Sequence, residues 1–330
     1  MEVKTRLRVG LAKSTSAGTA STEGLIVLRR YLDLELTRSA IFTMYPNGSH
    51  IRQITHPPKG WSDGSPAWSP DGERVAFYRQ AIDERRPCPQ CRRTSRIMVL
   101  NTKTGDERQV VGVEGFDPAF SPNGHSLAFR RPAGIWIVRL DGSTLHQVTN
   151  EHPNRALAFS DFGPAFSPDG KKLVFERTRL EDDHTAVFVQ SLDSPGSPED
   201  ADRITPWKMN CEDHPEFSPS GNWVLFSCEP EGEAIEELYW VHPNGTGLYR
   251  LTYAPDDVHY EGSSFSPKFK GWGDIVAVRH PAYGYYDNSD VFRMHIEVSD
   301  VQSEVTVNLT KSQTLDDAPS WGTYPPSARE

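Results

Sequence analysis

The chain has 330 residues, 36% of them hydrophobic, and 35 Lys plus Arg against 45 Asp plus Glu give it a net charge of −10. That acidity repels polyanions and excludes nucleic acid or an anionic membrane surface as a natural partner, leaving a cationic or neutral ligand. No apolar run approaches the roughly 20 residues that span a bilayer, so membrane insertion is not expected.

In chain order, residues 1–23 read as a disordered lead-in: Lys4, Arg6 and Arg8 are followed by Ser, Thr, Ala and Gly instead of the apolar core of a secretory signal. A cytoplasmic location follows by default. The first strand candidates are Leu25 to Arg30, Ile41 to Met44 and Ile51 to Thr55, the last two separated by the turn Tyr45-Pro-Asn-Gly48.

A repeat then dominates the chain. Pro66-Ala-Trp-Ser-Pro-Asp-Gly72 returns as Pro118-Ala-Phe-Ser-Pro-Asn-Gly124, Pro164-Ala-Phe-Ser-Pro-Asp-Gly170, Pro215-Glu-Phe-Ser-Pro-Ser-Gly221, the degraded Ser263-Ser-Phe-Ser-Pro267 and the truncated Pro319-Ser-Trp-Gly322. The starts at 66, 118, 164, 215, 263 and 319 are 52, 46, 51, 48 and 56 residues apart, a period suited to one four-stranded propeller blade. Pro presets φ and Gly supplies a positive φ, so each copy predicts a tight hairpin between strands A and B. Turns such as Leu140-Asp-Gly142 and His242-Pro-Asn-Gly245 predict a second hairpin, C to D.

The chain starts with strands B, C and D and ends with a lone strand A, so its two ends must share a blade. The fold class is therefore all-β, a six-bladed β-propeller over residues 24–322, with 323–330 as a tail.

The Pro-Ala-Phe-Ser-Pro-Asp-Gly pattern resembles the TolB-like propeller repeats. The resemblance implies a module that binds a small ligand, a cation or a protein segment at the mouth of its central channel. It also implies that a periplasmic or secreted location is open. Oligogalacturonate lyase propellers share this repeat style and use a His-centred metal site, though no motif beyond the blade template matches theirs.

Long B to C and D to A connections share one face, which is where binding groups would gather. Just before strand A stand Asp63, Asp117, Asp161, Glu212 with Asp213, Glu261, and Asp316 with Asp317. Two residues after the strand-B Phe or its equivalent stand Arg30, Arg79, Arg131 and Arg177, with Cys228 and His280 in the remaining blades. Two readings follow. Either an acid to Arg pair repeats round the ring, or the carboxylates bind a divalent cation or cationic ligand, best where Arg is missing beside Asp213 and Glu261.

His56, His152, His214, His259 and His280 fall on the same face, as isolated surface side chains or as metal ligands. Asp213, His214 and Glu261 are the candidate set for Ca, Mg, Mn or Zn. Asp213, His214, His259, Glu261 and His280 are the catalytic candidates if the funnel houses a lyase or hydrolase. Trp61, Trp207, Tyr260, Tyr283 and Tyr285 would stack a ligand or pack loop on loop.

Cys211 and Cys228 flank one hairpin and either form a disulfide, implying an oxidising compartment, or remain free; Cys88 and Cys91 are half a zinc site at most. Neither a phosphate-binding glycine loop nor a His-Glu-x-x-His helix occurs. A monomeric binding module and an enzyme working in the same funnel are the two readings carried forward.

Overall fold

The computed structural model describes residues 23–82, 94–110, 114–132, 134–149, 159–193, 201–255, 257–281, 289–297 and 300–323. They form six antiparallel four-stranded sheets, a six-bladed propeller as the repeat requires. Residues 1–22 of the expected lead-in and 324–330 of the expected tail lie outside these residues. Among them no helix is long and apolar enough to cross a membrane.

The ring closes as expected. In blade 1, β1 (Leu25–Tyr31) lies between β2 (Ser39–Met44) and the C-terminal β24 (Asp316–Gly322), with β3 (Arg52–Gln53) outermost. Leu25 stands opposite Gly322 and Arg30 opposite Asp316, so both chain ends are hydrogen-bonded into one sheet.

The template residues explain the blades. In blade 4 the Gly170 N–H donates to Ser167 O (2.8 Å) and the Lys172 N–H to Ser167 Oγ (2.9 Å), while Gly170 holds φ at 72°. The strand-B Phe then plugs the seam to the preceding blade. Phe77 packs with Val27 and Ile41, Phe129 with Ala76 and Ile97, Phe175 with Ala128 and Ile135, and Phe226 with Val174 and Val187. The core is thus six serial seams instead of one central mass, which is how 330 residues avoid a single oversized core. The axis is left to the innermost strands.

Candidate functional site

Those innermost strands are β4 (Trp61–Trp68), β8 (Phe116–Phe120), β12 (Phe159–Phe166), β16 (Cys211–Phe217), β20 (Val258–Phe265) and β24, in blades 2 to 6 and 1. The acids that precede the template do not form one ring; they occupy three successive levels.

At the outermost level the acid to Arg pair is real in three blades. Arg79 grips both oxygens of Asp63 (2.6 and 2.8 Å), Arg177 both of Asp161 (2.7 and 3.0 Å), and Arg30 both of Asp316 (2.6 and 2.7 Å). These bidentate pairs occupy three of the expected ligand-binding carboxylates. Blade 5 replaces the pair by a disulfide, Cys211 to Cys228, the two cysteines standing directly opposite each other.

Two sequence assignments are corrected here. Arg131 does not pair with Asp117: Asp117 lies in a bulge, its nearest guanidinium is that of Arg130 (Nε to Oδ2 3.7 Å), and Arg131 lies over Trp136. His280 does not occupy the Arg position of blade 6 either. Arg279 does, opposite Tyr260, and His280 pairs one step further out with His259. The degraded template of that blade, with Ala277 for Phe, hid the count.

The next level holds Glu212, Glu261 and Asp317, opposite Ser227, Val278 and Arg29. Below it every inner strand bulges. In five blades two residues face one across the hairpin, as Ser65 and Pro66 face Phe77 between the pairs Gly64 to Tyr78 and Ala67 to Ala76. Blade 5 is larger: Asp213, His214 and Pro215 lie between the pairs Glu212 to Ser227 and Glu216 to Leu225. Asp213 and His214 both take positive φ, 63° and 57°, a conformation uncommon for residues with side chains and costly enough to suggest a purpose.

The enlarged bulge supports two groups. His214 crosses Gly163 of blade 4 and sets its Nε2 3.3 Å from Asp117 Oδ1 of blade 3, where the Ser65 hydroxyl also donates at 2.9 Å. The His214 side chain keeps 45% exposure, to the axial cavity that it lines. Burial would lower its pKa; the contact with Asp117 and the charges of Glu176 and Asp213 outweigh it and raise it to about 9. Asp117 moves the other way: burial would raise it, but His214, Arg130 and Ser65 hold it down to about 2. The pair is therefore ionic at neutral pH.

On the other side of the bulge, Asp213, Glu236 and Glu261 bring carboxylate oxygens within 4.8 Å of one another. Glu236 immediately precedes β18 (Glu237–Val241), and Glu261 belongs to blade 6. Among the described residues no Lys or Arg forms an ion pair with any of the three; the one cationic contact is His280 Nε2 to Glu261 Oε2, 3.4 Å. Burial and the charge of Glu261 push Asp213 up to about 7, and burial and the charge of Asp213 push Glu236 well above the usual carboxylate range. Three oxygen donors so placed suit a hard divalent cation.

The structure thus brings together Asp213 and Glu261 of the expected metal set and turns His214 away to Asp117. His259 and His280 are stacked (ring centroids 5.0 Å) and buried, with His259 Nδ1 accepting the Glu236 N–H at 3.1 Å, so they back the cluster from behind. Trp61 is covered by Arg96, and Trp207, in a short 3-10 turn, packs on Phe188 between Arg179 and Arg203 of blade 4. Tyr260 is buried in the seam between blades 5 and 6. Tyr283, Tyr285, His152, Cys88 and Cys91 lie outside the described residues.

Three acids escaped the sequence reading. Glu236 sits in a B to C loop without a template. Glu176 follows the strand-B Phe of blade 4 where other copies have Tyr78 or Arg130, and burial raises it to about 8. Glu216 replaces the template Ala, and burial raises it to about 7 although Ser264 and the Phe265 N–H bond it. The last two are visible as departures from the repeat. With His214 and Asp117, Glu216 lines the axial cavity of about 230 Å³, which continues inward between Pro66, Pro118 and Pro164.

TolB from Acinetobacter baumannii superposes with a TM-score of 0.65 at 18% identity, over 91% of this chain and 67% of that one. A protein described as TolB from Agrobacterium tumefaciens gives 0.61 at 18%, over 93% of each chain. The fold is that of the TolB propeller. An oligogalacturonate lyase in complex with manganese gives 0.53 at 14%, over 81% of this chain and 73% of that one. No protein-family model and no curated protein matches the sequence.

Proposed function

We propose that this TolB-like propeller is a binding module whose channel mouth takes a cationic group, a divalent metal ion or the cationic end of a small molecule or protein segment, between blades 5 and 6. The observation that carries the reading is the cluster of Asp213, Glu236 and Glu261, held by an enlarged, positive-φ bulge and lacking a Lys or Arg partner among the described residues. Carboxylates crowded in this way hold protons that a cation displaces, so binding strengthens as pH rises. The all-oxygen set favours Ca, Mg or Mn over Zn, which prefers nitrogen and sulfur. A manganese complex on the same fold in an oligogalacturonate lyase supports the scaffold's capacity for a cation.

The lyase or hydrolase reading is narrowed by the same geometry. With its pKa at about 9, His214 is an imidazolium at neutral pH and a proton donor instead of a base. Asp213, at about 7, is the group suited to accept a proton in such a funnel. The Cys211 to Cys228 disulfide supports an oxidising compartment for either function.

Elemental analysis of the purified protein, with melting curves in EDTA and in added Ca²⁺, Mg²⁺, Mn²⁺ and an organic diamine, tests the reading, since anything bound to the folded state raises its stability. A saturable rise that disappears in Asp213→Asn supports it. Indifference to every cation at pH 8 removes it.

A further inference from the structure

The outermost strand is short in five blades. β3, β7 (Glu107–Gln109), β11 (His146–Gln147), β15 (Asp202–Arg203) and β19 (Tyr249–Arg250) have two or three residues each. Blade 6 departs from this. Its β22 (Asp290–Glu297) is followed by β23 (Asp300–Asn308), nine residues at the edge of the sheet with no strand beyond it among the described residues. A long open edge offers a row of backbone N–H and C=O groups to any extended chain, and proteins commonly blunt such edges with Pro or Lys. β23 contains neither; its charged residues are Asp300 and Glu304, and Val307 is 48% exposed. Its register with β22 also breaks between the pairs His295 to Val305 and Glu297 to Asp300, so residues 301–304 have no register partner on that side either.

The chain carries a segment suited to that edge. Residues 1–22 lie outside the described residues, and their sequence divides in two. Val3, Thr5, Leu7 and Val9 alternate with Lys4, Arg6 and Arg8, the period of a strand with one apolar and one basic face. Residues 10–22 are Gly, Ala, Ser and Thr apart from Leu11 and Lys13, the composition of a linker. That linker joins the ring beside the open edge: Glu23 Oε2 lies 3.3 Å from Arg293 Nη1, and Arg293 of β22 pairs directly with Val307 of β23. Residues 10–22 can reach about 40 Å when extended, whereas two strand spacings, from β22 to a strand beyond β23, are about 10 Å.

We propose that residues 2–9 dock along the free edge of β23 as a fifth, antiparallel strand of blade 6. With Arg6 opposite Glu304, the same alignment sets Val3 opposite Val307 and Val9 opposite Val301, so basic meets acidic on one face and apolar meets apolar on the other. The alternation is what separates residues 2–9 from the disordered lead-in expected on composition. Docked there, the segment caps the one long edge and keeps it from pairing with another chain. The inference is independent of the acid cluster between blades 5 and 6.

Hydrogen–deuterium exchange of the full chain, read peptide by peptide, tests it. Residues 2–9 and 300–308 should both exchange at least tenfold more slowly than in Thr5→Pro, because Pro breaks a strand within the segment and leaves the ring untouched. Peptides from blade 3 should exchange alike in the two proteins. Arg6→Glu should lose the protection, and Arg6→Glu with Glu304→Arg should regain it, a rescue that general damage to blade 6 would not give. Exchange of residues 2–9 at the rate of an unstructured peptide, or protection of 300–308 indifferent to Thr5→Pro, overturns the proposal. Protection that grows with protein concentration assigns the edge to a second copy of the chain and overturns it as well.

Discussion

His214 Nε2 reaches Asp117 Oδ1 at 3.3 Å from two blades away, so one ion pair ties blade 5 to blade 3 across blade 4. Its pH dependence follows from the two shifts. His214 titrates at about 9 in the folded state against about 6.5 unfolded, so its contribution is complete below pH 6.5 and is lost as pH rises through 9. Asp117, at about 2 against about 3.9 unfolded, contributes above pH 4 and is lost as pH falls through 2. Asp213 and Glu216 at about 7 and Glu176 at about 8 bind more protons folded than unfolded, which adds to the loss on the alkaline side. Denaturant midpoints without added cation should therefore fall from pH 5 to pH 9. An NMR titration should place the His214 midpoint near 9, and well below that in Asp117→Asn. A flat stability profile would contradict this assignment.

The crossing depends on the smallness of Gly163. A Cβ there would meet Glu176 Oε1 and the His214 Cα at 3.0 Å each, and φ is +52°. The Glu176 side chain can move; the His214 backbone, fixed in its own positive-φ bulge, cannot. Gly163→Ala should cost about 1–3 kcal/mol. It should also shift the His214 titration toward its ordinary midpoint. Loss of stability with the His214 midpoint unmoved would mean that the strain is local to blade 4.

The disulfide takes the place of an ion pair at the outermost level of blade 5. Closing a loop with a sequence separation of 17 is worth about 3 kcal/mol by restriction of the unfolded chain. Reduction, or Cys211→Ser with Cys228→Ser, should lower stability by about that much. It should also weaken the cation response, because Glu212 and Asp213 follow Cys211 directly. Intact mass before and after reduction with thiol capping checks that the bond exists.

The fold was legible because the Ser-Pro-Asp-Gly turn and the strand-B Phe are local devices repeated at a fixed period. The levels of the site were less so. An acid three residues before the template Pro marks the ion-pair level, as Asp63 to Pro66, Asp161 to Pro164 and Asp316 to Pro319 show. Cys211 stands four residues before Pro215, and that extra residue is the enlarged bulge. Counting from the strand-B Phe failed in blade 6, where Ala277 stands in its place, and gave His280 the position of Arg279. Glu236 was invisible in the sequence because it reaches the cluster from a loop, where no period fixes which residue faces the axis.

Two Asp to Asn substitutions of equal size should have opposite effects. Asp161 neutralises Arg177, whose guanidinium lies 3.7 Å from the Phe159 ring and has little water to turn to. Asp161→Asn removes the carboxylate that grips this buried charge with both oxygens, at a cost of about 3–5 kcal/mol. Asp213 repels Glu236 and Glu261 once ionised, so Asp213→Asn should relieve the cluster. At pH 8 in EDTA it should melt at or above the parent protein, and at pH 5, where the parent Asp213 is already protonated, the difference should vanish. In saturating cation the order should reverse, because the parent gains stability and the variant does not. Melting curves of both variants at the two pH values, with and without cation, decide the matter. If Asp213→Asn is as damaging as Asp161→Asn under every condition, Asp213 is a structural partner like Asp161, and the cluster is not a cation site.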